Sequence, residues 1–304
     1  MKEKKLLLCI PRGGLNDTLC QIEKCRQYAK QFDRMLYLDS RRSGLLDEFS
    51  IYFKILDTSG VTVVTPSTTF DYGMLNKLSV MPRAVTGKID TYSFTFSKER
   101  RNWCEEVSGD LLTFDMTIDH DYDLLLHEQG GGGSLSHSLI PHLRFSDELK
   151  ATIELRLASL PEKYVAIHVR NTDYKSEYHS FFESIKDRVV DQTLLVCSDD
   201  ATVIAEAKRY FSRSSVITIT NTNVTNQKPL HRPTSYENSE QRIDATFNAI
   251  TDLVALASAE KLFFPQVEKT SLSGVKSLSS SGFSRLAQHL HRNRALIRGL
   301  MHLN

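Results

Sequence analysis

The sequence predicts an α/β fold of two lobes, each built on a parallel β-sheet. Short apolar runs alternate with stretches whose apolar residues recur at helical spacing, which is typical of parallel sheets covered by helices. The alternation occurs twice, with a break near residues 158–163. We therefore expect an N-terminal lobe at residues 1–157 and a C-terminal lobe at residues 158–304.

The elements follow from these runs in chain order. In the first lobe, strands are expected at 5–10, 34–38, 61–64 and 124–126, and helices at 15–32 and 146–157. Residues 66–122 show weak periodicity, so the sequence does not define their elements. In the second lobe, strands are expected at 164–169, 193–197, 216–220 and 261–264, and helices at 180–188, 201–211, 242–259 and 282–290.

The composition limits the classes of function. The 304 residues include 38 Lys and Arg against 37 Asp and Glu, and this net charge of +1 argues against a dedicated nucleic-acid binder. No apolar run approaches the roughly 20 residues that span a bilayer. The 5 cysteines are odd in number and lack C-x-x-C spacing, which favours reduced thiols in a cytoplasmic protein.

Two segments of the first lobe follow expected strands and carry polar groups. The loop from Arg12 to Asp17 either brings its backbone close to a ligand at a helix N-terminus or is a tight turn with Asn16 as the helix cap. His127 and Glu128 precede a run of four glycines. That run is a phosphate-holding loop, a mobile hinge or a flexible surface loop, and either side chain before it is suited to acid–base chemistry.

Three segments of the second lobe also lie at expected strand-to-helix junctions. The period of two along a strand puts His168 and Arg170 on the same face. The planar guanidinium of Arg170 suits a diphosphate or an ion pair with Asp173. The Ser-Asp-Asp run at 198–200 either binds a nucleobase or caps a helix. The Ser-Gly-Phe-Ser run at 281–284 either holds a phosphate at a helix N-terminus or is a Ser-rich linker with a cap.

A metal site is not expected. The D-x-D sequence of Asp119 and Asp121 precedes a strand instead of following one, unlike a metal-binding motif at a strand end. The 10 histidines lack H-x-x-x-H and H-E-x-x-H spacing.

Together these motifs resemble those of GDP-fucose-dependent fucosyltransferases. Gly-Gly-Leu-Asn at 13–16 resembles their G-G-L-N opening, and residues 168–174 resemble their H-x-R-x-x-D-Y motif. Ser-Asp-Asp at 198–200 is similar to their S/T-D-D segment. Asp-Leu at 252–253, followed by Ser-Gly-Phe-Ser at 281–284, resembles their closing motifs.

The resemblance implies a GT-B fold, in which two Rossmann-like lobes face each other across a cleft and the C-terminal lobe holds a nucleotide sugar. It implies inverting transfer, first of all of L-fucose from GDP-fucose, with no cofactor and no required metal. The donor-binding residues are then His168, Arg170, Asp173, Ser198, Asp199, Asp200, Ser281, Gly282, Phe283 and Ser284. The acceptor-side loop residues are Arg12, Gly13, Gly14, Asn16 and His127.

Roles follow from the same resemblance. Arg170 would contact the pyrophosphate, Asp199 or Asp200 the nucleobase, and residues 281–284 the β-phosphate. Asp17 is the first candidate for the catalytic base, with Glu128 and Asp173 in reserve. Asn-Thr at 171–172 and Gly282 depart from the family pattern and leave the sugar open.

The expected acceptor is a bacterial surface glycan, such as an O-antigen or a capsule, in free or lipid-linked form. The C-terminal stretch is basic and amphipathic, so it either rests on the inner membrane or packs on its own lobe. Two alternatives stay open, namely the same fold with another nucleotide sugar and a non-catalytic relative that binds a glycan or a nucleotide.

Overall fold

The computed structural model describes residues 4–56, 60–66, 71–173, 176–220, 236–270 and 276–302. The chain forms two compact units, Met1–Ser146 and Asp147–Asn304. The division falls before the helix Asp147–Leu157, whereas the sequence analysis places it after residue 157. This helix packs against the long helix Ser239–Ser258 and so belongs to the second unit.

The first unit is built on a five-stranded sheet with the order β4-β2-β1-β8-β5, in which all neighbours are parallel. In chain order its elements are β1 (Leu6–Cys9), α1 (Leu15–Gln31), β2 (Met35–Leu38), α2 (Phe49–Tyr52), β3 (Phe53–Ile55), β4 (Val63–Val64), α3 (Tyr72–Leu75), β5 (Val80–Met81), β6 (Phe94–Ser97), β7 (Asn102–Glu105), β8 (Leu124–His127), α4 (Ser136–Leu139) and β9 (Leu143–Phe145).

The centre of this sheet is formed by β1 and β8, where Leu7 and Leu8 of β1 and all three leucines of β8 are fully buried. The expected strands and helix α1 are confirmed here, with bounds that differ by at most two residues. The segment that the sequence left undefined contains β5 and an antiparallel hairpin of β6 and β7. These strands have only two to four residues each, too few for a periodic pattern to emerge.

The second unit is built on a four-stranded parallel sheet with the order β12-β11-β10-β13. In chain order its elements are α5 (Asp147–Leu157), β10 (Val165–Val169), α6 (Tyr178–Ile185), β11 (Thr193–Ser198), α7 (Ala201–Tyr210), β12 (Ser215–Ile217), α8 (Ser239–Ser258), β13 (Lys261–Phe263), β14 (Val267–Thr270), β15 (Lys276–Ser279), α9 (Gly282–Arg292) and α10 (Arg294–Leu300).

The apolar side of the C-terminal stretch is covered by its own unit. Helix α9 packs against α8 and buries Leu286, Ala287 and Leu290. Of the two arrangements expected for this amphipathic stretch, the structure therefore has the one in which the helix packs on its own lobe. Within the described ranges, no helix combines the length and the apolarity needed to cross a bilayer. All 5 cysteines are buried and free.

Candidate functional site

The predicted donor motifs of the second unit meet at the carboxyl edge of its sheet. In the parallel register of β10 and β11, His168 lies opposite Cys197, and Val169 lies opposite Ser198. The loops that follow both strands therefore leave the sheet side by side. Helix α9 begins at this edge, because Ser284 in its first turn contacts His168.

His168 is held between this helix and the sheet. Its Nδ1 lies 2.8 Å from Oγ of Ser284, and its ring lies 4.8 Å from the ring of Phe283. Ser281 caps the helix, since its Oγ accepts from the backbone N–H of Ser284 at 3.0 Å. Burial, and to a lesser degree the charge of Arg170, lowers the pKa of His168 to about 3. The imidazole is therefore neutral at physiological pH and fixes α9 against β10.

Arg170 forms a two-point ion pair with Asp173. Its Nε and Nη2 donate to Oδ1 and Oδ2 of that carboxylate, both at 2.8 Å. The two side chains keep 22% and 17% of their surface exposed, so the guanidinium is oriented and still accessible to a ligand. The sequence offered this ion pair as an alternative to diphosphate binding, and the geometry allows both. Tyr174 lies outside the described residues.

The two acidic residues after β11 order the loop that carries Arg170. Asp199 accepts from the backbone N–H of Asn171 at 2.7 Å and from Oγ1 of Thr172 at 2.6 Å. Asp200 accepts from Nδ2 of Asn171 at 2.8 Å and caps α7 through the N–H of Thr202. Burial raises the pKa of Asp199, although the bonds from Thr172 and Asn171 oppose the shift. Both carboxylates therefore bind the chain itself, and a contact with a nucleobase stays a prediction.

Asp252 adds a buried carboxyl group beneath the same edge. Thr220 donates to its Oδ1 at 2.8 Å, and the thiol of Cys197 also contacts it. Burial raises the pKa of Asp252 to about 7. The sequence analysis used this residue only as part of a motif. Its place within the buried stretch Ile250–Ala257 of α8 was a signal for a partnered internal group.

In the first unit, Glu128 is the centre of a buried ionic cluster at the end of β8. It is fully buried, and Nε of Arg12 donates to its Oε1 at 2.7 Å. Nη1 of Arg42 lies 3.4 Å from both carboxylate oxygens, and the hydroxyl of Tyr92 donates to Oε2. Two guanidinium groups thus share one carboxylate, and we assign Glu128 a structural role in holding them.

Aromatic rings cover these guanidinium groups. The guanidinium carbon of Arg12 lies 4.1 Å from the ring centre of Phe94 and 4.4 Å from that of Trp103. That of Arg42 lies 4.7 Å from the ring centre of Phe94. Sequence reasoning missed Phe94 and Trp103, because they lie in the segment without periodicity, and it missed Arg42, which lies in the loop between β2 and α2.

The glycine run after Glu128 is fastened to helix α1. Nε2 of Gln21 donates to the carbonyl oxygens of Gly130 and Gly131 at 3.0 and 2.7 Å. Nδ2 of Asn16 donates to the carbonyl oxygen of Gly133 at 3.0 Å. Gly132 has a φ of +126°, and a Cβ there would lie 2.4 Å from Cβ of Cys20. Among the three interpretations of this run, neither a hinge nor a loose surface loop fits these contacts.

The neighbouring residues predicted on the acceptor side have different environments. His127 is fully buried between Gln21 and Thr113, at 2.7 Å from each, and burial lowers its pKa to about 3. Gly13 has a φ of +95°, and a Cβ there would lie 2.8 Å from Oδ2 of Asp17. Gly14 precedes the first turn of α1 as its N-cap, without a side-chain cap. Asp17 in that turn is half-buried.

Both aspartates of the D-x-D sequence form ion pairs with basic side chains. Asp119 pairs with Arg34 at 3.1 Å, and Asp121 pairs with Lys5 at 2.9 Å. In the part of the chain that the structure describes, no three His, Cys, Asp or Glu side chains are grouped to hold a metal ion.

The buried histidines give a prediction for acid stability. His127 and His168 have pKa values of about 3 in the folded state, against about 6.5 in an unfolded chain. Their neutral forms are therefore fully compatible with folding above pH 6.5, and below it the unfolded chain binds two additional protons. Each such proton lowers the free energy of unfolding by about 1.4 kcal/mol per pH unit.

Asp252 acts in the opposite direction, since its pKa of about 7 lets the folded state keep a proton that an unfolded Asp loses near pH 4. For these three groups the net difference near pH 5 is one proton, so together they should lower the stability by about 1.4 kcal/mol per pH unit on acidification. Asp252→Asn removes the opposing proton and should roughly double this slope. Urea unfolding at several values between pH 5 and 6.5 measures it, and equal slopes in both proteins would contradict the prediction.

Comparisons with solved structures bear on the fold. No protein-family profile and no curated protein sequence matches the chain. Among solved structures, the fucosyltransferase NodZ from Bradyrhizobium superposes with a TM-score of 0.61 at 16% identity, covering 94% of this chain and 93% of its own. NodZ α-1,6-fucosyltransferase co-crystallised with GDP gives 0.59 at 15% identity over 94% and 92% of the two chains.

A second group of solved structures gives the same result. POFUT1 in complex with GDP superposes with a TM-score of 0.55 at 13% identity, covering 97% of both chains. The expected α/β fold of GT-B type is thereby confirmed, since the likeness extends over nearly the whole chain. The chain thus has the fold of the fucosyltransferases NodZ and POFUT1.

Proposed function

We propose that the protein is a glycosyltransferase that transfers L-fucose from GDP-fucose to a hydroxyl group of a glycan. The observation that carries this proposal is the oriented, accessible guanidinium of Arg170 at the carboxyl edge of the second sheet. Ligands of open α/β sheets bind at this edge. The fold of NodZ, which was soaked with GDP-fucose in one solved structure, supports the choice of donor.

The proposed chemistry needs a stabilised leaving group. A sugar that leaves its diphosphate develops positive charge at the ring while negative charge grows on the phosphate. Arg170 would bind that phosphate, and Asp173 would keep the planar fork in the right orientation. The first N–H groups of α9, around Gly282 and Phe283, have no partner within the helix and favour an anion.

The residues around Arg170 would act by position. Asp199 accepts from the backbone N–H of Asn171 and so holds the loop that carries Arg170. Ser284 holds α9 against His168. The phosphate-binding groups would thus be ordered before the donor arrives, which lowers the cost of organising them during the reaction.

Asp17 is the proposed base that takes the proton of the acceptor hydroxyl. The carboxylate lies half-buried in the first turn of α1, whereas Glu128 is fully buried in its cluster. We propose direct displacement with inversion and without a metal ion. We also propose a bacterial surface glycan, free or lipid-linked, as the acceptor and the cytoplasm as the location, in keeping with five free thiols.

Asp17→Asn is expected to lower kcat by about 100-fold or more, within the range of general-base catalysis. Binding of GDP should stay within about twofold, since no donor contact is assigned to this residue. Transfer is measured by mass spectrometry and GDP binding by calorimetry. The variant Asp33→Asn serves as a control, because its side chain is 84% exposed in a surface ion pair. An unchanged rate in Asp17→Asn would remove this residue as the base.

Nucleotide binding tests the proposal without an acceptor. Thermal unfolding is measured with GDP, UDP, CMP and ADP. A nucleotide raises Tm by binding the folded state, and the shift grows with its affinity. Since the proposal assigns the tightest binding to GDP, GDP should raise Tm most. A larger shift with another nucleotide would favour the same fold with a different donor. That alternative has one specific observation behind it, since Asn171, which departs from the family pattern that the motifs resemble, is bound to Asp200. No shift with any nucleotide would favour a non-catalytic relative.

A further inference from the structure

The hairpin of β6 and β7 presents an aromatic face that the proposed chemistry does not yet use. Phe96 lies opposite Trp103 in the antiparallel register, and their ring centres are 5.5 Å apart. Phe94 lies 5.7 Å from Trp103 on the same face. Phe96 keeps 46% of its surface exposed, and Trp103 is only half-buried. The pairing of the two rings stabilises the hairpin but leaves the outer side of Phe96 in water.

This face adjoins hydrogen-bond donors that no residue in the described part of the chain uses. Arg42 stacks on Phe94 and has a side chain that is 28% exposed. Its Nη1 contacts Glu128 and Tyr92, while its Nε and Nη2 make no hydrogen bond within the described chain. The three rings stand edge to face, at 65° between Phe96 and Trp103 and 71° between Phe94 and Trp103. Exposed aromatic surface therefore lies next to N–H groups that are unused within the described residues.

We propose that this aromatic face binds a pyranose ring of the acceptor, with Phe96 and Trp103 against the C–H side of the ring and Arg42 donating to its hydroxyl groups. A sugar ring combines one apolar side with a hydroxyl edge, so it matches both parts of the surface. The inference rests on the proposed function for the role of that sugar as acceptor.

The surroundings favour a sugar over a larger apolar partner. The turn of the hairpin carries Lys98, Glu99, Arg100 and Arg101, all exposed. These charges confine the apolar surface to the aromatic rings. A protein or lipid partner would require a broader apolar patch, whereas one or two sugar rings fit beside the charges.

Fluorescence tests the proposal directly, because Trp103 is the single tryptophan of the chain. Disaccharides of glucose, galactose, mannose and N-acetylglucosamine are titrated into the protein without any nucleotide. At least one should change the emission in a saturable way. Phe96→Ala should weaken that binding about fivefold, the equivalent of one aromatic contact of about 1 kcal/mol. Val107→Ala, at a residue that is 87% exposed, should keep the wild-type Kd.

Turnover supplies the second readout. With the disaccharide that binds, Phe96→Ala should raise the acceptor KM about fivefold and leave kcat and the Tm shift with GDP unchanged, since the contact is made before and during transfer. If GDP fails to stabilise the protein but sugar binding depends on Phe96, the result supports the sugar-binding site and contradicts its role as an acceptor site. Absence of saturable binding with the whole panel, or equal Kd values for Phe96→Ala and the wild type, would overturn the inference. A dimer that depends on Phe96, seen by light scattering in place of sugar binding, would also overturn it.

Discussion

Replacing Arg170 with alanine is expected to lower the turnover of the nucleotide sugar by at least about 100-fold. The guanidinium would neutralise charge that develops on the leaving diphosphate, and the loss of one such preorganised donor typically costs a factor of 100 to 1,000. The fold should persist, since the ion pair with Asp173 lies at a partly exposed edge. Steady-state kinetics gives the rate, and circular dichroism checks the fold.

Two further variants separate the proposed role from a general effect of charge. Arg170→Lys keeps the positive charge but loses the two-point fork, so it should recover only part of the activity. Arg213→Ala removes an arginine from the same unit, where its side chain is 72% exposed beside Asp191, and should behave as the wild type. Full activity in Arg170→Ala would remove this residue from the donor site.

Replacing Glu128 with glutamine is expected to lower the free energy of unfolding by about 3–5 kcal/mol. The carboxylate is fully buried, and the variant would leave the charges of Arg12 and Arg42 without their shared counter-ion. Breaking a buried pair by removing one partner usually costs this much. Such a loss is a large share of the stability of an ordinary domain, and chemical unfolding of the purified protein measures it.

Asp121→Asn provides the matched control, because it breaks an ion pair whose carboxylate is fully exposed. We expect no measurable change in its stability. A similar small change in Glu128→Gln would mean that the cluster at the end of β8 does not stabilise the first unit.

The sequence was sufficient to predict an element where the local apolar pattern matches the burial of that element in the fold. The central strands β1, β8, β10 and β11 are short, largely apolar runs. Each could be placed because a buried parallel strand is apolar on both faces. The polar segments after β10 and β11 were also predictable as neighbours, since parallel strands bring their carboxyl ends to one edge.

Contacts between distant segments could not be predicted in the same way. Arg42 reaches Glu128 across 86 positions, and Gln21 reaches the glycine run across more than 100. No local periodicity encodes either contact. The four glycines suggested freedom of movement, yet Gly132 is needed because the backbone passes directly over Cys20. The glycine composition alone therefore did not distinguish a fixed loop from a mobile one.

Consumption of nucleotide sugars tests the central claim most directly. The purified protein is incubated separately with GDP-fucose, GDP-mannose, UDP-glucose and CMP-sialic acid, with and without a disaccharide, and mass spectrometry follows nucleotide release and sugar transfer. The account predicts that GDP-fucose is consumed and that its consumption is lost in Arg170→Ala. Consumption of a different donor, or of none while the protein remains folded, would contradict it.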